Sequence, residues 1–112
     1  MSDIVFLYIP TPSQKVADEI ANTLIAEKLA ACVNIHAPMI SVYEWQGTIE
    51  RREEIPLIVK TTQIATGAVN TRVQDLHPDD TPCIVAIPVQ SDGSSQPFME
   101  WVRASVSKGT NM

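Results

Sequence analysis

The stretch Tyr-Glu-Trp-Gln-Gly-Thr-Ile at residues 43–49 decides the fold, because it places a short turn between two strand-like segments. Gln46-Gly47 forms the turn, which is a hairpin signal. On the upstream side, residues 32–45 are typical of one strand interrupted by Pro38. On the downstream side, the return strand passes through charged residues and ends in the apolar run 57–59. The sequence therefore predicts a long β-hairpin in the middle of the chain.

A strand and a helix precede this hairpin. The apolar run Ile4–Ile9 predicts a strand that is buried on both faces. Ser13 is a plausible N-cap for a helix whose apolar residues recur at three- and four-residue spacing, and the pattern predicts that this helix continues to about Leu29.

A helix, a strand and another helix follow the hairpin. Apolar residues between 65 and 76 predict the second helix, which the turn at 77–80 ends. Residues 83–89 predict the last strand. After a polar stretch, Pro97 is expected at the first position of a C-terminal helix that packs Phe98 and Trp101 into the core.

The order of these elements predicts an α+β fold: a ferredoxin-like βαββαβ sandwich with an extended hairpin between its second and third strands and a C-terminal helix. The length of 112 residues suits a single domain, residues 1–112.

Right-handed crossovers place the first and third strands in the centre. Pro56 should face an edge or a bulge. Cys32 and Cys83 begin opposite edge strands, three spacings of about 4.8 Å apart, so no intrachain disulfide is expected.

The predicted hairpin is too long for the rest of the sheet. At about 3.3 Å per residue, residues 32–45 span about 45 Å, and the first and last strands reach about half of that. The hairpin must therefore project beyond the sheet with its apolar side chains, Ile40, Val42, Tyr43 and Trp45. A second copy of the chain is the economical cover, so an oligomer of unspecified number is predicted.

Composition excludes several classes of protein. The net charge is −5 and the eight basic residues are scattered, which argues against a nucleic-acid partner. The start Met1-Ser2-Asp3 lacks the basic residues of a signal peptide, and no apolar run is long enough for a membrane span, so a cytosolic protein is expected. The chain contains no nucleophile elbow, phosphate-binding loop or zinc-protease motif, so neither an enzyme nor an organic cofactor is expected.

Several segments resemble, in the right order, motifs of the CutA divalent-cation-tolerance family. They are residues 29–35 (LAAC), residues 43–47 (YxWxG) with Ile49 and Glu54, Lys60-Thr61 (KT), His77-Pro78 with Pro82 (HPxxxP) and residues 99–101 before the C-terminus (xxW). The resemblance implies a ferredoxin-like homotrimer with interlocked hairpins, an association with divalent metal ions, copper especially, and a shape related to PII signal-transduction proteins.

Four positions depart from that family pattern, and one of them is Pro56, which replaces a residue that would normally form a hydrogen bond. Asp79 stands after His77-Pro78, where the family usually has an aromatic residue. Cys83 stands after the second proline in place of an acid, and Arg52 occupies a position that is often acidic in relatives.

One candidate metal site follows from the residues near the end of the second helix. His77 lies within one turn of Asp79 and Asp80, and an imidazole with carboxylates suits Cu(II) or another divalent cation. Cys83 adds a soft ligand six residues on. The metal prediction therefore names His77, Asp79 and Cys83, while an ordinary Asp-rich turn is the alternative interpretation.

Other polar residues are open to two interpretations. Cys32 and His36 share one strand face with Asn34, but the ends of that set are about 13 Å apart, too far to bind one metal. The charges of residues 50–54 are typical of a solvated hairpin arm with cross-strand pairs. The alternative is a cleft between subunits, a common kind of ligand site. That cleft would contain Tyr43, Trp45, Glu54 and Lys60.

Three functions remain open from the sequence. The first is a metal-responsive trimer that confers tolerance to divalent metal ions such as copper. The second is a PII-like regulatory trimer that binds a small anionic metabolite in its intersubunit clefts. The third is a stable trimeric scaffold that anchors a partner protein.

Overall fold

The computed structural model describes residues 3–107, so the predicted domain of residues 1–112 extends beyond them at both ends, and Met1-Ser2 of the signal-peptide argument lies outside. The elements are β1 (Ile4–Thr11), α1 (Gln14–Ala26), β2 (Cys32–Ile35), β3 (Met39–Trp45), β4 (Thr48–Thr62), α2 (Thr66–Leu76), β5 (Val85–Pro88) and α3 (Gln96–Ser105). The strands form an antiparallel sheet in the order β2-β4-β1-β5, with β3 paired to the first half of β4. This confirms the predicted ferredoxin-like order, with the first strand and the long return strand in the centre.

The hairpin projects as the sequence predicts. Gln46 and Gly47 adopt φ values of 51° and 83°, the two positive values that a type I′ turn requires. The pairing of β1 with β4 ends at Thr11 and Ile55, so residues 48–54 extend beyond β1. Seven residues at about 3.3 Å each project the hairpin by about 23 Å.

Pro56 sits opposite a bulge, one of the two places predicted for it. Ile35 pairs with Leu57, and Met39 pairs with Glu54. Between these pairs, the three residues 36–38 face the two residues 55–56 of β4. The backbone amide of His36 donates to the Pro56 carbonyl at 2.9 Å. The N–H and C=O groups of one strand residue point to the same side of the strand. The nitrogen of Pro56, which carries no hydrogen, therefore faces this irregular segment, and no hydrogen bond of the regular ladder is lost.

Two hydrophobic clusters hold the elements together. In the larger one, α1 and α2 pack on one face of the central strands; its fully buried members include Leu7, Ile9, Ile20, Leu24, Leu57, Val59, Val69 and Val73. In the smaller one, Met99, Val102 and Val106 pack α3 against Ile4 and Ala65. Neither cluster includes a residue of β3 or of the projecting part of β4 before Ile55, so among residues 3–107 the hairpin lies outside both clusters.

Helix α1 is shorter than predicted. It begins with the predicted N-cap, because the Ser13 side chain accepts from the Val16 amide, but it ends at Ala26 rather than near Leu29. Lys28 adopts φ 58°, and the Leu29 amide donates back to the Leu24 carbonyl at 2.9 Å. This left-handed residue reverses the chain and closes the helix, and a lysine gives no sequence signal for that conformation.

The later elements also required correction. Strand β5 begins at Val85, so Cys83 precedes the strand instead of starting it. Ser95 caps α3, which places Pro97 at the second helical position. The prediction that Phe98 and Trp101 pack in the core was wrong for the single chain: they are 37% and 48% exposed.

Large apolar side chains remain exposed on the hairpin. By strand alternation, Ile40, Val42 and Ile49 share the face that points away from Tyr43 and Trp45. We call these three residues the hairpin strip; they are 52%, 57% and 74% exposed. In residues 3–107, no helix is both long enough and apolar enough to cross a membrane.

Candidate functional site

A cavity of about 460 Å³ lies beside the stem of the hairpin, and we call it the stem cavity. Tyr43 and Trp45 of β3 and Arg52 of β4 line one side, since they alternate onto the same face of the hairpin. Residues 79–81, which follow α2, line the other side. Two elements that are distant in the sequence thus build this site.

The closest polar contact in the stem cavity joins Arg52 to Asp79. The two terminal guanidinium nitrogens of Arg52 donate to the two carboxylate oxygens of Asp79, each at 3.2 Å. The hydrogen bonds to Asp79 raise the pKa of Arg52, burial opposes this, and the charges of Asp79 and Glu54 add to the increase. This pair was not predicted from the sequence, although Arg52 and Asp79 are both departures from the motifs of the family that the chain resembles.

Glu54 lies next to this pair at the base of the hairpin. Its carboxylate accepts from the Ser41 hydroxyl at 2.5 Å and lies 3.9 Å from the Arg52 side chain. The predicted cleft set is therefore partly assembled within one chain: Tyr43 and Trp45 line the stem cavity, and Glu54 adjoins Arg52.

Lys60, the fourth residue of the predicted cleft, lies elsewhere. Its ammonium group sits 5.4 Å from the centroid of the Phe6 ring and 5.6 Å from that of Phe98. It is six residues beyond Glu54 on β4, about 20 Å along the strand. A cleft containing all four predicted residues would therefore need Lys60 from a second copy of the chain.

His77 uses both ring nitrogens inside the chain. It is 6% exposed. Its Nδ1 accepts from the Asp79 backbone amide at 3.1 Å, so the proton resides on Nε2, which donates to the Pro10 carbonyl at 2.9 Å. His77 thus anchors the loop that carries Asp79 to the end of β1, and neither nitrogen offers a free lone pair to a metal.

The metal set of His77, Asp79 and Cys83 stays a prediction that this geometry does not favour. Asp79 is bound to Arg52, and Cys83 is exposed. Residues 3–107 contain every His, Cys, Asp and Glu of the chain, and they include no group of three or more such side chains that could hold a metal ion.

Cys32 and Cys83 form no disulfide with each other, as predicted. Cys32 lies on β2, at one edge of the sheet, directly opposite Lys60. Cys83 lies just before β5 at the other edge.

The charge around the stem cavity is mostly negative. Arg52 is its one cation among the lining residues, and Asp79 already neutralises it. Asp80 contributes a carboxylate with no hydrogen bond or ion pair to any residue between 3 and 107. Glu50 lies on the same hairpin face, directly opposite Tyr43. An arrangement of two aromatic rings with excess carboxylate suits a cation better than an anion.

Comparison with known proteins gives one consistent result. The family model described as CutA1 divalent ion tolerance protein matches residues 5–105. The divalent-cation tolerance protein CutA of Thermus thermophilus is 41% identical over 103 residues, which cover 92% of this chain and 96% of the relative. The human protein CutA is 35% identical over 96 residues. That match covers 86% of this chain, but the chain spans only about half (52%) of the human relative.

Solved structures agree with the sequence comparison. The Thermus thermophilus divalent cation tolerance protein superposes with a TM-score of 0.88 at 38% identity, covering 93% of this chain and 99% of that one. The protein from Archaeoglobus fulgidus, described as a periplasmic divalent cation tolerance protein, gives a TM-score of 0.87 at 39% identity with the same coverage, 93% and 99%.

Proposed function

This chain belongs to the CutA1 divalent ion tolerance family, and we propose that it acts in tolerance to divalent metal ions, copper among them, as a homotrimer. The role is non-enzymatic, in agreement with relatives whose names describe tolerance to cations rather than a reaction.

The observation that carries the proposal of assembly is the uncovered hairpin. The hairpin strip lies on a projection that neither hydrophobic cluster reaches. Exposed apolar groups of this kind mark interfaces between proteins. Within the described part of the chain, β3 pairs only with β4, so its other edge carries backbone groups that a neighbouring strand would satisfy. The number three rests on the resemblance to the family.

Assembly and metal binding are linked in this proposal. No set of three or more His, Cys, Asp and Glu side chains comes together among residues 3–107. A copper site with that many protein ligands therefore needs donors from more than one copy of the chain, which an oligomer provides.

Two further observations concern the compartment and the alternative ligand. Free thiols at Cys32 and Cys83 agree with a reducing compartment such as the cytosol, although one relative is described as periplasmic. A small anionic metabolite, the alternative ligand, is not favoured at the stem cavity. The guanidinium of Arg52 is already paired with the Asp79 carboxylate and is not free to bind an anion.

Calorimetry with Cu(II) tests the link between assembly and metal. We compare the wild type with Ile49→Lys, which places a charge in the hairpin strip, and with Ile64→Lys as a matched control, since Ile64 is 60% exposed but lies outside the hairpin. The mass of each variant is measured in parallel. Copper binding should weaken by about tenfold or more, about 1.4 kcal/mol, in the dissociated variant only. Equal binding by monomer and oligomer would contradict the proposal.

A further inference from the structure

We propose that the stem cavity is a binding site for an organic cation, an ammonium group carried on a small apolar body. This inference goes beyond the proposed role in metal tolerance and does not depend on it. It rests on the aromatic, charge and packing features of the cavity.

The aromatic side chains supply the first part of the argument. Trp45 and Tyr43 are two positions apart on β3, so both side chains lie on the cavity side of the hairpin. They are 61% and 40% exposed, which leaves their rings accessible to a ligand. An ammonium group is attracted to the face of such rings, and tryptophan is the strongest partner.

The acidic side chains supply the second part. Asp79 and Arg52 neutralise each other. The carboxylate of Asp80 is then the unpaired negative charge among the lining residues. Glu50 adds a second negative charge on the same hairpin face. The whole chain carries a net charge of −5, which attracts cations and repels anions.

The cavity distinguishes an organic cation from a metal ion. A divalent metal requires several donor atoms converging on one point, and no suitable group of three exists among residues 3–107. A space of about 460 Å³ is also far larger than a metal ion needs and is within the size range of small-molecule sites. An ammonium group would contact the aromatic rings and the carboxylate of Asp80, and its apolar body would fill the cavity.

Assembly and ligand binding use different faces of the hairpin. The hairpin strip lies on the face opposite to Tyr43 and Trp45, so a contact made through the strip does not itself involve the two rings. Mass measurements test the proposed trimer independently of ligand binding. A failure of the cavity proposal can therefore be distinguished from a failure of the trimer proposal.

The test uses choline as the probe with the wild-type protein. The neutral carbon analogue 3,3-dimethylbutan-1-ol has nearly the same shape, and inorganic phosphate represents an anion. Nuclear magnetic resonance of the two tryptophan indole N–H groups follows binding, with the Trp101 signal as an internal reference. We expect saturable shifts of the Trp45 signal with choline in the millimolar range, binding of the neutral analogue that is about tenfold weaker, and no shift with phosphate. Equal binding of choline and the neutral analogue, or no saturation by choline, would overturn the proposal.

Two variants locate the site. Asp80→Asn should weaken choline binding by about tenfold, because it removes the unpaired charge. Glu53→Gln is the matched control, since Glu53 lies opposite Ile40 on the other face of the hairpin; its choline affinity should equal that of the wild type. If Asp80→Asn binds choline as tightly as the wild type, or if Glu53→Gln weakens binding equally, the assignment is wrong.

Discussion

Arg52 of β4 holds Asp79, in the loop after α2, through two parallel hydrogen bonds of 3.2 Å. The sequence singled out both residues as departures from the family motifs that the chain resembles, and the structure brings the two side chains into contact. The pair joins the base of the hairpin to a loop that His77 anchors to β1 through its two ring nitrogens. The position of the hairpin is therefore tied to the body of the chain by a small polar network.

The first prediction concerns the energy of this pair. Each side chain is 32% exposed, so solvent screens the interaction, and we expect a coupling of about 0.5–1 kcal/mol. A double-mutant cycle with Arg52→Ala and Asp79→Ala, measured by urea unfolding, isolates this coupling from the contact of Arg52 with Glu54. Arg51→Ala combined with Asp79→Ala is the control, since Arg51 points to the other hairpin face. A coupling of zero for the Arg52 cycle would show that the pair does not stabilise the fold.

The second prediction concerns His77. Replacing this buried side chain with alanine leaves the Pro10 carbonyl and the Asp79 amide without partners, and His77→Ala should destabilise the protein by about 2–4 kcal/mol. His36→Ala changes an exposed side chain, so its effect on the free energy of unfolding should stay within about 0.5 kcal/mol.

Copper affinity gives a second measure of the same two variants. Because both nitrogens of His77 are occupied, calorimetry should find that His77→Ala weakens Cu(II) binding no more than His36→Ala does. A selective loss of copper affinity in His77→Ala would support the metal set of His77, Asp79 and Cys83 and would show that the loop opens to admit the ion.

The third prediction is a pH dependence at the other end of the chain. The hydrogen bonds from Arg103 lower the pKa of Asp3 below its usual 3.8 in the folded protein, although burial opposes this shift. The stabilisation is therefore fully present above 3.8 and is lost as the pH falls through the lowered folded-state value. Asp3→Asn should be less stable than the wild type at neutral pH.

Thermal unfolding across the acid range checks this sign. The difference between Asp3→Asn and the wild type should shrink as the pH falls below 3.8. Asp92→Asn is the control, because Asp92 is exposed and its side chain forms no ion pair with any residue from 3 to 107. A difference that grows in acid would contradict the assigned direction of the pKa shift.

Local patterns allowed most of the fold to be predicted. The Gln46-Gly47 turn and the unequal strand lengths lie within short stretches, so the sequence was sufficient to predict the projecting hairpin. The contact of Arg52 with Asp79 spans 27 residues and depends on the path of the loop after α2. No local pattern encodes that path, and Arg52 was accordingly interpreted as one of several solvated charges.

Helix α3 shows a second limit of sequence patterns. Phe98 and Trp101 are three residues apart, as are Met99 and Val102, so helical spacing identifies two adjacent apolar stripes. The structure buries Met99 and Val102. Which of the two stripes is buried depends on how α3 is rotated against Ile4 and Ala65, and that rotation is set by tertiary packing.

The fourth prediction concerns stability and concentration. If the hairpin strip is an interface, the melting temperature of the wild type should rise with protein concentration, because association stabilises the folded state. Ile49→Lys should remove that dependence and leave a folded chain, since Ile49 is 74% exposed and contributes little packing within one copy. Ile64→Lys should retain the dependence. Identical concentration dependence in all three proteins would exclude the strip as an interface.

The fifth prediction is the mass in solution, and it tests the proposed assembly most directly. Multi-angle light scattering on the wild type at micromolar concentration should give three times the chain mass of 12.3 kDa. That result is expected if, as proposed, a second and a third copy cover the apolar side chains that the hairpin exposes. A mass of 12.3 kDa for a folded, soluble protein would contradict the trimer and the argument from the uncovered hairpin.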